Sequence, residues 1–78
     1  MRPTELNWDN VELVVLMNLG DARLARLFER DGSEWWCQPN QAPQFMGRNE
    51  PPDFGERVEA TGIAASLAVQ NFLNSTDS

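Results

Sequence analysis

The chain has 78 residues, with twelve acidic side chains, six arginines, and no lysine, histidine or tyrosine, so its formal net charge is −6. A lone cysteine, Cys37, excludes an intrachain disulfide, and the absence of histidine removes the usual zinc ligands. Without a basic stripe we expect no direct binding to nucleic acid. The remaining acid–base groups are carboxylates and one thiol that has no histidine to activate it, so we expect no catalysis. The composition therefore predicts a protein that is not an enzyme and uses no cofactor or metal.

Residues 9–38 form an apolar-rich block that predicts strands. Residues 29–32 suit a three-residue hairpin loop with Gly32 in the left-handed position, which would place Leu27 beside Trp35. An earlier turn is expected at Gly20. A first strand would line one face with alternating apolar residues, namely Val11, Leu13, Val15, Met17 and Leu19.

The same block has a helical alternative. Asp9 and Glu12 have the spacing of a capping box, and Gly20 and Gly32 could end two short helices. The β-branched residues early in the block and the aromatic pair at Trp35 favour strands instead. We therefore predict a three-stranded antiparallel meander.

Residues 39–52 contain four prolines and Gly47, a composition that predicts an irregular loop. Such a long connection is unusual in a compact domain and is often functional. Phe45 and Met46 are expected either to anchor it to the core or to form an apolar plug for a partner.

Residues 53–74 predict a C-terminal helix. Pro51 and Pro52 would end the preceding segment, and Asp53 with Glu56 forms a capping-box pattern. Helical spacing places an apolar stripe toward the core, made of Phe54, Val58, Gly62, Ala65, Val69, Phe72 and Leu73.

The opposite side of this helix would carry Glu56, Glu59, Ile63, Leu67 and Gln70. Two large aliphatic residues spaced by four positions on a solvent face have two explanations. Either another segment covers them, or they form a surface for a partner or a second copy.

The predicted fold is one α+β domain over residues 1–78, a three-stranded antiparallel β-meander packed by one C-terminal helix; the alternative is an all-α fold of three helices. The longest apolar run, residues 13–17, is far shorter than the roughly 20 residues of a membrane span. No secretory signal pattern is visible at the N-terminus. We expect a protein of the bacterial cytoplasm that contacts no membrane.

The acidic residues fall into two groups. Glu29, Asp31 and Glu34 bracket the predicted hairpin tip, and a second group, Glu50, Asp53, Glu56 and Glu59, runs through the predicted start of the helix. A row of carboxylates on a rigid element can imitate the phosphates of a duplex and enter a channel lined by basic residues. Ordinary solubility and the helix dipole explain the same acids without a partner.

The adjacent tryptophans offer an apolar anchor for such a partner. In a strand Trp35 and Trp36 would point to opposite faces, so one enters the core and the other faces outward. Tryptophan is enriched among residues that dominate interface energetics. The candidate partner-binding set therefore combines both tryptophans with the two acid groups, Ile63 and Leu67.

In its small size, acidity and non-catalytic composition, the chain resembles the anti-CRISPR proteins, phage-encoded inhibitors of bacterial defence. These acid groups and the absence of histidine and lysine carry that resemblance. It implies a protein that blocks the DNA-recognition surface of a defence complex as a DNA mimic. The partner would then be a basic protein or a ribonucleoprotein complex. The alternative function is a self-associating structural or adaptor subunit, such as a small virion protein, with Ile63 and Leu67 in a homodimer contact.

Overall fold

A computed structural model describes residues 6–74. Within this range a short 3-10 turn (Trp8–Asn10) precedes five strands and one helix. The strands are β1 (Val11–Asn18), β2 (Arg23–Glu29), β3 (Ser33–Cys37), β4 (Gln44–Arg48) and β5 (Glu56–Val58), and the helix is α1 (Gly62–Leu73). All strands belong to one antiparallel sheet in the order β4-β3-β2-β1-β5.

The predicted α+β class is confirmed, and the all-α alternative is wrong. The three meander strands are present as β1, β2 and β3, with Leu27 opposite Trp35 in the register and Gly32 at a φ of 92° in the hairpin loop. Two further strands extend this meander at its two edges, so the sheet has five strands instead of three.

The first strand departs from simple alternation. A register shift between Val11 and Leu13 turns Val11 to the same side as Val14, where both pack under the helix. Leu13 and Val15 face the other side of the sheet. The prediction that all the alternating residues share one face is therefore wrong, because a bulge changes the side on which a residue projects.

The predicted irregular loop contains a strand. Residues 44–48 alternate between exposed and half-buried positions, and Phe45 packs on Trp35 with ring centroids 5.2 Å apart. The prolines do not prevent this strand, since Pro43 lies just before it and Pro51 beyond its end. As an edge strand, β4 needs a partner on one side only.

The predicted helix start at Asp53 is also wrong. Residues 56–58 instead pair with residues 14–16 as the edge strand β5. The helix begins at Gly62 after Thr61, whose hydroxyl donates to the backbone carbonyl of Asp9 across 3.2 Å. Backbone pairing with β1 thus overrides the capping-box pattern of Asp53 and Glu56. Among residues 6–74, no helix has the length and apolar character needed to cross a bilayer.

Both faces of the sheet are covered. Ala65 and Val69 of α1 pack on one face against a core built around Val14 and Leu27. Because β4 and β5 lie at opposite edges, the connection between them, residues 49–55, crosses the sheet. Gly55 lies so close to the other face that a Cβ there would come within 2.8 Å of Val15 Cγ1. This crossover therefore covers the face opposite the helix. Burial on both sides explains why β1 is an almost continuous apolar run.

Candidate functional site

Two of the predicted partner-binding residues lie in the core. Trp35 is only 2% exposed, and its indole Nε1 donates to the Oε1 atom of buried Glu29 across 2.9 Å. The strand therefore turns Trp35 inward. The hydrogen bond compensates the burial of both polar groups. Neither side chain is available to contact a partner in the folded protein.

Glu34 is also buried, on the sheet face opposite α1. Its Oε2 atom accepts hydrogen bonds from Arg26 Nε and from Trp36 Nε1, each across 2.6 Å. The Arg26 guanidinium lies 5.7 Å from the ring centroid of Phe28 and 5.9 Å from that of Trp36. This Arg26–Glu34–Trp36 cluster neutralises its own carboxylate, so Glu34 adds nothing to an acidic surface. Trp36 is half-buried within it.

Asp31 stays exposed but has a local structural role. The backbone N–H of Ser33 donates to its Oδ1 atom across 2.9 Å and closes the hairpin tip. That hydrogen bond, aided by the Ser33 side chain and by the charge of Arg48, lowers the pKa of Asp31. The carboxylate is therefore ionised at neutral pH and belongs to the turn.

The four remaining acids form an exposed acidic strip, defined here as Glu50, Asp53, Glu56 and Glu59. They occur every third residue from the crossover, through β5, to the residue that follows it. The only base between them is Arg57, whose Nη1 donates to the carbonyl of Pro52 across 2.9 Å. Four carboxylates and one guanidinium leave residues 50–59 with a formal charge of −3. Folding thus brings this group to the surface while it buries Glu29 and Glu34.

Phe54 is exposed inside the acidic strip, with 59% of its surface accessible. Helical periodicity placed it on the buried stripe of a helix, and that assignment is wrong because residues 53–55 form a bend. The flanking Pro51, Pro52 and Gly55 are turn-forming residues and were a signal for this exposure. An aromatic ring among carboxylates suits contact with a cationic side chain.

The outer face of α1 matches the prediction for its two aliphatic residues. Ile63 is 79% exposed and Leu67 is 51% exposed, whereas the smaller Ala65 is fully buried beneath them. No other segment among residues 6–74 covers these two side chains. They lie on α1, apart from the crossover that carries Glu50 and Asp53.

The described residues show little that suits chemistry. Burial raises the pKa of the Cys37 thiol to about 11, so it is protonated at neutral pH. Among residues 6–74, no group of three or more acidic or cysteine side chains is placed to hold a metal ion. A cavity of about 540 Å³ lies near Leu24, Trp36 and Leu73. Arg23 lines this cavity, and its Nη1 donates a hydrogen bond to the backbone carbonyl of Phe72 near the end of α1.

Comparison with known protein families, curated proteins and solved structures gives no match. The function is therefore inferred from the surfaces of this chain.

Alkaline pH is expected to destabilise the protein through Cys37. Since the chain has no lysine or tyrosine, this thiol is the side chain that titrates between neutral pH and the range of arginine. Its pKa is raised from 9.0 to about 11 by burial, so the unfolded chain loses the proton first. The free energy of unfolding should be level below about pH 8 and fall from about pH 9 to about pH 11, by at most about 1 kcal/mol per pH unit.

Urea unfolding at stepped pH measures this effect. The Cys37→Ala variant should show a flat profile over the same range. A slope that persists in that variant would contradict the assignment to Cys37.

Proposed function

We propose that this protein is a non-catalytic inhibitor that docks its acidic strip on a basic, nucleic-acid-binding surface of a protein or ribonucleoprotein complex in the bacterial cytoplasm. A CRISPR effector is the kind of target that its resemblance to anti-CRISPR proteins implies. The observation that carries the proposal is the exposure of four carboxylates within residues 50–59, a segment that also exposes Phe54 and is held against the sheet by Arg57 and Gly55.

The distribution of charge at the surface supports this function. Within residues 6–74 eight carboxylates are exposed, against three guanidinium groups. Exposed acidic side chains thus outnumber exposed basic ones by more than two to one. Half of the exposed carboxylates belong to the acidic strip. Such a field accelerates encounter with a basic surface and repels nucleic acid.

The spacing of the strip limits how closely it imitates DNA. The Cα atoms of residues three apart in an extended chain are about 10 Å apart, and their side chains point to opposite faces of a strand. Consecutive phosphates on one DNA strand advance only about 3.4 Å along the helix axis. The strip therefore steers and orients the inhibitor, and blocking depends on the body of the domain occupying the groove.

Phe54 provides an apolar contact in addition to the electrostatic attraction exerted by the acidic strip. A ring that is already exposed needs no rearrangement to insert between the aliphatic stems of arginine or lysine side chains. Aromatic residues near the centre of an interface commonly supply much of its binding energy. Phe54 thus replaces the outward-facing tryptophan as the anchor in the proposed interface, because Trp35 is buried and Trp36 is half-buried.

Reversing charge in the strip is the direct test. The Glu56→Arg/Glu59→Arg variant should lose about tenfold or more in its ability to displace labelled duplex DNA from purified CRISPR effector complexes at low salt. The matched control is Asp9→Arg/Asp21→Arg, which makes the same change in net charge at exposed positions outside the strip. The control should retain most of the activity.

Two results would overturn the proposal. One is an equal loss in the strip and control variants, which would reduce the effect to net charge. The other is a wild-type protein that displaces DNA from no complex in a panel covering the main effector types. Circular dichroism melting of each variant verifies that the fold is retained.

The Phe54→Ala variant separates anchoring from steering. We expect weaker displacement of DNA at both low and high salt, because an apolar contact is not screened by ions. The charge-reversal variant should instead differ from wild type mainly at low salt. Unchanged displacement by Phe54→Ala would show that Phe54 is not the anchor.

A further inference from the structure

The outer face of α1 is apolar although the protein is strongly acidic. Ile63 is the most exposed of the large hydrophobic side chains described, and Leu67 follows it one turn later on the same side. Ala64 is exposed beside them. The helix thus buries a small residue, Ala65, and presents its larger aliphatic residues to solvent.

The same helix lies in an uncharged part of the chain. Residues 60–76 contain no acidic or basic side chain, although 23% of the whole chain is charged. Two copies of a protein with a net charge of −6 repel each other wherever their carboxylates face. The outer side chains of α1 carry no charge, although the Asp9 carboxylate lies beside Gly62 at the start of the helix, so two copies repel each other less at this face than at the acidic strip. A basic partner would find no carboxylate among the α1 side chains to pair with its cations, so this face suits a second copy better.

We infer that the outer face of α1 is the contact of a two-fold symmetric homodimer. In an antiparallel pairing of the two helices, Ile63 of each copy packs near Leu67 of the other. Ala64 permits a close approach of the backbones. Gln70, whose Nε2 donates to Ser66 Oγ across 3.0 Å, lies toward the C-terminal end of the contact. Two-fold contacts of this kind are the commonest in homo-oligomers.

The size of the face sets the strength of the dimer. A helix of twelve residues is about 18 Å long, which makes a small interface. We therefore expect a reversible dimer in the micromolar to submillimolar range. The crossover covers the sheet face opposite α1, so dimerisation leaves residues 49–55 accessible on both copies. The dimer does not depend on the proposed inhibitory function.

Sedimentation equilibrium over that concentration range tests the inference. The wild-type protein should reach twice the mass of one chain, and its dimer should become tighter as salt rises, because ions screen the repulsion between two acidic bodies. Docking on a basic partner has the opposite salt dependence, so the two proposals can fail separately. A wild-type protein that stays monomeric throughout would overturn the inference.

Surface variants locate the contact. The Ile63→Ser/Leu67→Ser variant should be monomeric at every concentration and fold normally, since both side chains are exposed in the monomer. The matched control is Leu19→Ser, which removes an exposed leucine outside α1 and should dimerise like wild type. Dimerisation of the double variant at wild-type strength would place the contact elsewhere and overturn the inference.

A disulfide test covers the possibility that the double variant does not fold. Cys37 is the only cysteine, so a Cys37→Ala background is free of thiols. In that background, a mixture of Ile63→Cys and Leu67→Cys chains should form a mixed intermolecular disulfide under mild oxidation much faster than a mixture of Leu19→Cys and Leu67→Cys chains. Equal rates for the two mixtures would contradict a contact centred on α1.

Discussion

Glu34→Ala is expected to destabilise the fold by about 3–5 kcal/mol, because it leaves the Arg26 guanidinium without its counter-ion in a nearly closed site. The two side chains are 3% and 16% exposed, so water cannot replace the carboxylate. The same substitution removes the acceptor of the Trp36 indole N–H. Chemical denaturation followed by circular dichroism measures the loss.

The matched control is an exposed acid. Glu50→Ala should change the free energy of unfolding by less than about 0.5 kcal/mol. A double variant, Arg26→Met/Glu34→Leu, should recover most of the stability lost in Glu34→Ala, because apolar side chains of similar volume do not require a counter-ion. A loss below about 1 kcal/mol for Glu34→Ala would place the cluster among solvated surface ion pairs.

Trp35→Ala is expected to cost about 3–5 kcal/mol as well. The ring lies between Leu27 and Phe45 in the sheet register and packs on the phenyl ring of Phe45. Truncation leaves a cavity at the side of the core farthest from α1. It also removes the indole N–H that donates a hydrogen bond to buried Glu29.

Trp35→Phe separates these two effects. It keeps a ring against Phe45 and removes the hydrogen bond to Glu29, so it should cost about 1–3 kcal/mol, the usual penalty for a buried polar group without a partner. The difference between the two variants then measures packing. Equal losses would show that the hydrogen bond, and not the ring, accounts for the cost.

The burial of the acidic residues near the hairpin could not be predicted from the sequence. Glu29, Asp31 and Glu34 surround the hairpin tip in sequence, and nothing local distinguishes them. Glu29 is stable in the core because it accepts a hydrogen bond from the indole of Trp35. Glu34 accepts hydrogen bonds from Arg26 and Trp36. Asp31 stays exposed and accepts a hydrogen bond from the backbone of the adjacent turn. Which carboxylates remain available to a partner is therefore a property of the assembled sheet.

The exposed aromatic residue of the candidate site differs from the predicted one for a similar reason. Helical periodicity put Phe54 in the core, and the enrichment of tryptophan at interfaces made both Trp35 and Trp36 candidates for a partner contact. Pairing of β5 with β1 ended the helical pattern and left Phe54 on the crossover, and the pleat of β3 turned Trp35 inward. The candidate site could be predicted as acidic, but its aromatic member could not.

Features that depend on neighbouring residues could be predicted from the sequence. Gly32 ends a hairpin because its backbone adopts a positive φ, and the meander follows from β-branched and aromatic residues between short turns. The exposed aliphatic residues of α1 also follow from local periodicity. Residues 44–48 and 56–58 are strands because of the assembled sheet, since edge strands are stabilised by hydrogen bonds to a partner strand. That pairing is not encoded by the neighbouring residues. The burial of Glu34 has the same origin: a carboxylate is stable in the core only where folding brings donors to it.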